Sequence, residues 1–148
     1  MEEIKEFLEK YSITPEGVDV HQNVKLSYHN LTSMPFQFNV INGDFDCAHN
    51  ELKSLQNAPL VVHGWFNCVL NELKSLSGAP KVVEGDFDCS SNKIPPWEHR
   101  YLLFSEIHRN IWTDDKNLYE FFAWYQNQKH LIPEALQELR KIQVNYVN

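Results

Sequence analysis

Three cysteines recur at a fixed interval of 21 residues, and a thiol is the side chain in this sequence best suited to redox or metal chemistry. They are Cys47, Cys68 and Cys89. Neither a CxxC motif nor a cysteine–histidine spacing typical of a metal site accompanies them. Each lies two residues after a phenylalanine, and this alternation predicts an inward-facing side chain on a strand. We therefore predict that the cysteines stack as small, buried, reduced hydrophobic residues.

Two Asp-x-Asp pairs are the other candidates for chemistry. Asp44 and Asp46 form the first pair, and Asp86 and Asp88 form the second. The repeat described below places the pairs two strands apart, roughly 9–10 Å given the usual spacing of paired strands. This separation is too large for one shared ion, so we expect solvated carboxylates. The histidines are scattered, and no nucleophile accompanies them. The sequence therefore predicts no catalytic, cofactor or metal site, and the chain is not expected to be an enzyme.

The composition narrows the classes of protein further. The chain has 148 residues and a formal net charge of -7, which fits one acidic domain and disfavours a nucleic-acid-binding protein that relies on phosphate contacts. The sequence has no run long and apolar enough to span a membrane. The N-terminal stretch MEEIKEFLEK lacks the basic-then-apolar plan of a signal peptide. We expect a cytoplasmic protein without membrane or nucleic-acid partners.

An internal repeat accounts for the cysteine spacing. The three clearest copies are GDFDCAHNELKSLQNAPLVVH at 43–63, GWFNCVLNELKSLSGAPKVVE at 64–84 and GDFDCSSNKIPPWEH at 85–99, and 22–42 is a degenerate copy. Their apolar positions and asparagine fit the leucine-rich pattern L-x-x-L-x-L-x-x-N-x-L. The predicted fold is therefore an α/β solenoid, a leucine-rich-repeat array of about four repeats. The asparagine is expected to bond backbone groups of neighbouring coils.

The two ends of a solenoid require caps, because stacking leaves its core open there. Residues 1–17 are predicted to form an N-terminal capping helix, residues 18–99 the repeats, and residues 100–148 an all-helical C-terminal cap or subdomain. The apolar positions of the N-terminal helix are Ile4, Phe7, Leu8 and Tyr11.

The C-terminal region is predicted to contain three helices. The stretch 97–110 is the first, Thr113 is the expected N-cap of the second, and Pro133 lies in the first turn of the third. The apolar stripe of the second helix consists of Leu118, Phe121, Phe122 and Tyr125. Trp112, Tyr119 and Trp124 fall outside that stripe, so this subdomain is a second candidate binding surface.

The outward positions of the repeat strands form four ladders across the predicted concave face. They are Asn23, Asp44, Trp65, Asp86; Lys25, Asp46, Asn67, Asp88; Ser27, Ala48, Val69, Ser90; and Tyr28, His49, Leu70, Ser91. The middle copy places Trp65, Val69 and Leu70 there, where the sister copies are mostly small or polar. An apolar centre within a polar rim is typical of a protein-binding surface. The predicted protein-binding residues are Trp65, Val69, Leu70, Asn67, Tyr28, His49, Asp44, Asp46, Asp86 and Asp88.

Three arrangements of this apolar centre stay open at this stage. An external protein could bind it, the C-terminal helices could fold back and cover it, or two copies of the chain could pair through it. A basic partner would be favoured by the surrounding carboxylates.

The repeat resembles one found in short leucine-rich-repeat proteins of tailed bacteriophages and some bacteria, where it reads G-D-F-x-C-S-x-N-x-L-x-S-L-x-G-A-P. The match runs through Gly43–Pro59, Gly64–Pro80 and Gly85–Asn92. The resemblance implies a small viral solenoid, made in the bacterial cytoplasm, that binds and inhibits a host protein such as an antiviral-defence protein. A structural component that self-associates or joins a virion complex is the alternative.

This chain departs from the resembled pattern at two places. Ala48-His49 and Val69-Leu70 stand where typical copies have serine followed by a variable residue. Bacterial leucine-rich-repeat ubiquitin ligases carry a large catalytic domain with its own cysteine, and this chain has no such domain. The resemblance therefore implies a binding protein and not a ligase.

Overall fold

The computed structural model describes residues 9–128 and 131–147, which form a β-solenoid of about five turns with helices at its C-terminal end. One sheet contains β1 (Tyr11–Thr14), β2 (Gly17–Val20), β4 (Phe38–Ile41), β6 (Val61–Val62), β8 (Val82–Val83) and β10 (Glu106–Ile107). The second sheet contains β3 (Val24–Lys25), β5 (Phe45–Asp46), β7 (Phe66–Asn67), β9 (Phe87–Asp88) and β11 (Ile111–Trp112). The helices are a 3-10 helix (Pro96–Phe104), α1 (Lys116–Gln126) and α2 (Ile132–Val147).

Each solenoid coil contributes one strand to each sheet, and the coils from β3 to β9 pair in register with a shift of 21 residues. Phe45 pairs with Phe66 and Phe66 with Phe87 in the second sheet, and Val62 pairs with Val83 in the first. The Val-Val pairs of β6 and β8 are therefore strands of the first sheet, between β4 and β10. All of these pairings between coils are parallel, because the equivalent strands of successive coils run in the same direction.

Columns of identical residues fill the space between the sheets. The rings of Phe45 and Phe66 stack with their centroids 5.4 Å apart, and those of Phe66 and Phe87 stack at 5.2 Å. All three side chains are fully buried, and burying one phenylalanine contributes roughly 1.5–3 kcal/mol. The prediction of inward phenylalanine and cysteine columns is confirmed.

A ladder of asparagine amides ties the coils together at the turn after the second-sheet strand. The Asn71 amide donates to the carbonyls of Cys47 at 3.0 Å and Cys68 at 3.1 Å, which belong to adjacent coils. Its Oδ1 accepts from the backbone N–H of Leu52 at 3.0 Å. Asn50 and Asn92 make the equivalent bonds. The expected satisfaction of backbone groups by this asparagine is confirmed.

A glycine lies two residues before β5, β7 and β9 of the second sheet, because adjacent coils approach closely there. A Cβ atom on Gly64 would lie 2.8 Å from the carbonyl carbon of Gly43, and one on Gly85 would lie 2.8 Å from the backbone nitrogen of Trp65. Real Cβ atoms do not tolerate such distances from backbone atoms. The recurring glycine of the repeat is therefore a packing requirement.

The N-terminal region differs from the prediction of a capping helix over 1–17. Ile4, Phe7 and Leu8 lie outside the described residues. Glu9 and Lys10 are helical, and Tyr11 begins an antiparallel hairpin of β1 and β2. The alternation through YSIT and GVDV, separated by Pro-Glu, suits a hairpin.

The C-terminal region is not all-helical, which corrects the prediction for 100–148. After the 3-10 helix, β10 pairs with β8 and β11 pairs with β9, so a further coil extends the solenoid. Ile111 follows Phe87 by 24 residues and not 21, because the 3-10 helix lengthens the coil. Phe104, the last residue of the 3-10 helix, is exposed.

The α-helices close this end of the solenoid. The N-cap of α1 is Asp115, two residues after the predicted Thr113, and its carboxylate accepts from the backbone of Asn117 at 2.7 Å. The stripe of Leu118, Phe121, Phe122 and Tyr125 is buried, as predicted. On α2, Ala135 and Leu139 are buried. These faces cover the core beyond β11, so the helices act as a cap.

Candidate functional site

The candidate site lies on the outer side of the second sheet, which we call the ladder face. It comprises the outward positions before, within and after β3, β5, β7, β9 and β11. The fifth coil adds Asn110 and Trp112 to the first two predicted ladders, because β11 pairs with β9. All ten predicted protein-binding residues lie on this face.

The apolar patch, defined as Trp65, Val69 and Leu70, reaches the surface. Trp65 is 38% exposed and Leu70 is 45% exposed, while Val69 is half-buried. Tyr28 is exposed and His49 is half-buried. In the described part of the chain, the C-terminal helices therefore do not bury the patch, which disfavours the arrangement in which they fold back over it.

The first ladder has a structural task that Trp65 cannot perform. In coil after coil, the side-chain oxygen at this position accepts the backbone N–H of the same position one coil later. Asn23 accepts from Asp44 at 2.8 Å, Asp44 from Trp65 at 2.9 Å, and Asp86 from Asn110 at 2.9 Å. An indole has only a donor, so Trp65 offers no such acceptor to Asp86.

The second ladder also serves the backbone. Asp46 accepts from the N–H of Ala48, Asn67 from that of Val69, and Asp88 from that of Ser90, each at 3.0 Å. Such bonds from residue i to residue i+2 are Asx turns. The predicted rim residues Asp46, Asn67 and Asp88 thus stabilise the turn that follows the strand. In Asp46 and Asp88, only the second carboxylate oxygen is left for a partner.

The fourth ladder is held in the left-handed backbone region. The φ angles are +60° at Tyr28, +55° at His49, +54° at Leu70 and +56° at Ser91. This conformation costs a residue other than glycine roughly 1–2 kcal/mol, and asparagine and aspartate tolerate it best. A leucine here is unfavourable for the backbone and is half-exposed as well. Strain of this kind is often found at functional sites.

Trp112 extends the aromatic surface beyond the residues predicted as the site. Its indole N–H donates to Oδ2 of Asp86 at 3.2 Å, and its ring stacks on Tyr119 with centroids 5.4 Å apart. Both rings are exposed, at 40% and 37%. The sequence indicated exposed side chains here, because Trp112 and Tyr119 fall outside the apolar stripe of the helix. It did not show that Trp112 continues the second ladder.

The ladder face carries unneutralised negative charge. Asp44, Asp46, Asp86 and Asp88 take part in none of the ion pairs formed among the described residues. Lys25 is the one cation within the four ladders. A cationic group approaching this face therefore meets carboxylate oxygens without competing internal cations.

The cysteines are placed for packing and not for reactivity. All three are buried free thiols, and Cys68 donates its S–H to the carbonyl of Asp88 in the next coil at 3.3 Å. Burial raises the pKa of the Cys68 thiol well above its ordinary value, which disfavours the reactive thiolate. Within 9–128 and 131–147, no group of three or more His, Cys, Asp or Glu is placed to hold a metal ion.

His99 is the buried histidine of the helical end. Its Nδ1–H donates to the carbonyl oxygens of Pro95 at 3.0 Å and Pro96 at 3.2 Å. Burial lowers the pKa of His99 below its ordinary value. The hydrogen bonds to Pro95 and Pro96 oppose that shift, and so, less strongly, do the carboxylates of Asp114 and Asp115. Its contacts are with the cap, so it supports the junction between the solenoid and the helices.

Comparison of the chain with protein-family models, with curated proteins and with solved structures found no match. The described helices include none with the length and apolar character needed to cross a bilayer. Inference about function therefore rests on the residues of the ladder face.

Proposed function

We propose that this chain is a non-enzymatic protein-binding module of the leucine-rich-repeat type, which docks a partner protein on its ladder face. The apolar patch is the observation that carries the proposal. Trp65 interrupts a ladder of backbone acceptors, and Leu70 occupies a left-handed position that suits smaller polar residues better. Both side chains reach the surface. Binding energy from a buried partner contact is a physical reason for their presence.

The surroundings of the patch support a protein partner. Tyr28 and His49 stack with ring centroids 4.3 Å apart beside it. Trp112 lies toward the other end of the same face, where its ring stacks on Tyr119 of α1. Exposed aromatic residues with a polar rim are enriched in the centres of protein interfaces. The face is built on paired strands, so a partner would meet it with little loss of conformational entropy.

The biological setting of the proposal comes from the repeat resemblance. A bacteriophage protein made in the host cytoplasm would act by occupying the surface of a host protein, such as an antiviral-defence protein, and so inhibit it. The module itself needs no cofactor for this, because occlusion is sufficient for inhibition.

Affinity capture from lysate of phage-infected bacteria tests the function, followed by reconstitution with the purified partner. Wild type is compared with Leu70→Asn, which replaces the patch residue by one that tolerates the left-handed backbone. Leu60→Asn, at an exposed leucine on the opposite side of the coil, is the matched control. We expect the control to retain the partner and Leu70→Asn to lose it. Equal retention by both variants would exclude the patch as the docking site.

The same variants distinguish self-association of the chain from binding of another protein. A mass measurement in solution on wild type and Leu70→Asn distinguishes a monomer that binds another protein from a homo-oligomer paired through the patch. A monomeric wild type that captures a host protein supports the proposal.

A further inference from the structure

The exposed indoles of Trp65 and Trp112 flank one carboxylate on the ladder face. Asp86 lies one coil after Trp65, so their backbones are about 4.8 Å apart. Trp112 lies on the following coil, and its indole reaches back to donate to Oδ2 of Asp86 at 3.2 Å. The two aromatic side chains and the carboxylate therefore share one small area, which we call the Asp86 site.

The chemistry of the Asp86 site favours a cation. Aromatic faces attract guanidinium and ammonium groups, most strongly those of tryptophan. Asp86 forms no ion pair in the described part of the chain, and neither does Asp88 on the same coil or Asp44 two coils earlier. The backbone bonds that these aspartates accept do not require a charge, because Asn23 and Asn67 accept the equivalent bonds at the same ladder positions. The negative charge is therefore available to favour a cationic ligand.

The protein already contains the same type of contact elsewhere, formed internally. At the helical end, the guanidinium of Arg100 lies 5.1 Å from the ring centre of Trp97, and that of Arg140 lies 5.0 Å from it. Arg100 also pairs with the carboxylate of Glu98 at 3.2 Å. The Asp86 site offers an indole and a carboxylate in a comparable combination, and the two carboxylate oxygens accept from the N–H groups of Asn110 and Trp112. These neutral donors leave the charge of Asp86 uncompensated.

We infer that the partner presents a basic segment, and that an arginine or lysine side chain of this segment binds at the Asp86 site against Trp65 and Trp112. The inference rests on the proposed function and specifies the chemistry of its partner. The planar guanidinium of arginine fits best, since it can lie on an indole and direct its N–H groups to a carboxylate at once. The apolar patch then holds the neighbouring apolar residues of the same segment.

The test uses a fluorescent, terminally blocked hexa-arginine peptide, with hexa-citrulline as its uncharged isostere. Fluorescence anisotropy gives the affinity, and indole NMR signals assigned to Trp65 and Trp112 locate the site. We expect hexa-arginine to bind at least about tenfold more tightly than hexa-citrulline, and to shift both indole signals.

Two variants assign the binding to these residues. Asp86→Asn keeps a side-chain oxygen for the N–H of Asn110 but removes the charge, and Trp112→Leu removes the ring. Each is expected to weaken hexa-arginine binding by about fivefold or more. Glu16→Gln removes a charge from the distant hairpin turn and is expected to have less than a twofold effect. If urea unfolding shows that Trp112→Leu is destabilised, the affinity of Asp86→Asn for hexa-arginine alone tests the site.

Three results would overturn the inference. They are an affinity for hexa-arginine that neither variant changes, an equal affinity for hexa-citrulline, or tighter binding of a neutral oligosaccharide such as cellohexaose. Failure here is distinguishable from failure of the proposed function. Natural partner capture that depends on Leu70 without any hexa-arginine site leaves the function intact and removes the basic segment. A hexa-arginine site without Leu70-dependent capture would instead remove the apolar patch as the docking site and leave the cation site at Asp86 in place.

Discussion

The carboxylate of Asp44 accepts the backbone N–H of Trp65 at 2.9 Å, and Trp65 returns no equivalent bond to the next coil. The acceptor ladder that links Asn23 to Asp44 and Asp86 to Asn110 is interrupted at this one step. The tryptophan therefore replaces a residue type that would serve the solenoid better. Asp44 therefore contributes to the structure of the coil, whereas Trp65 is a surface residue that the coil does not require.

Leu70→Asn is expected to raise the free energy of unfolding by up to about 1 kcal/mol, because asparagine tolerates the left-handed backbone that leucine resists. Urea unfolding followed by circular dichroism measures the change. Leu73→Ala, in the fully buried column three residues later, should instead cost about 2–5 kcal/mol. A strongly destabilised Leu70→Asn would mean that Leu70 is a core residue.

Asn71→Ala should lower the free energy of unfolding by at least about 2 kcal/mol, since buried backbone groups of adjacent coils lose their partners. These groups include the carbonyls of Cys47 and Cys68 and the N–H of Leu52. The control is Asn42→Ala, an exposed position expected to change stability by about 0.5 kcal/mol or less. Equal effects of the two variants in urea unfolding would refute the amide ladder.

Cys68 should resist thiol reagents in the native protein, because burial disfavours its thiolate. Labelling with a chromogenic disulfide reagent at pH 8 is expected to proceed at the rate of unfolding and to become immediate in concentrated urea. Mass spectrometry identifies the labelled cysteine. Immediate labelling of Cys68 without denaturant would show that the column is accessible, contrary to the structure.

His99 should make the protein less stable in mild acid. Its pKa is lowered by burial, so the unfolded chain binds the proton more readily than the folded chain. The stabilising effect of neutral His99 is present above its ordinary pKa of 6.5 and is lost as pH falls through the lower folded-state pKa. The difference in unfolding free energy between wild type and His99→Gln should therefore shrink on acidification from neutral pH. A difference independent of pH would show that His99 has no such titration.

The sequence predicted the repeating interior because its signals are local. The spacing of Phe66, Cys68 and Asn71 within a single copy is enough to place a strand, an inward thiol and a turn. The ladder positions followed from the same register. The apolar patch could thus be identified without coordinates, although its exposure could not.

The remaining features depend on contacts between coils. The role of Asp44 as an acceptor for the next coil is invisible within one copy, so it was interpreted only as part of a charged rim. The fifth coil was missed because Ile111 replaces phenylalanine after a longer connection, and its helical surroundings favoured a helix. Without the fifth coil, the sequence could not predict that Trp112 lies beside Asp86. Tyr11 satisfied the helical pattern of the N-terminal prediction, yet it pairs with Val20 in a hairpin.

Trp65→Asn tests the central claim most directly, because asparagine performs the acceptor role at the same position of the first coil, where Asn23 bonds to Asp44. The measurement is the dissociation constant of the captured partner, with urea unfolding on the same samples. We expect the free energy of unfolding to stay within about 1 kcal/mol of wild type, while the dissociation constant rises at least about tenfold. Unchanged partner affinity, or a large loss of stability, would contradict the account of Trp65 as a residue displayed for binding.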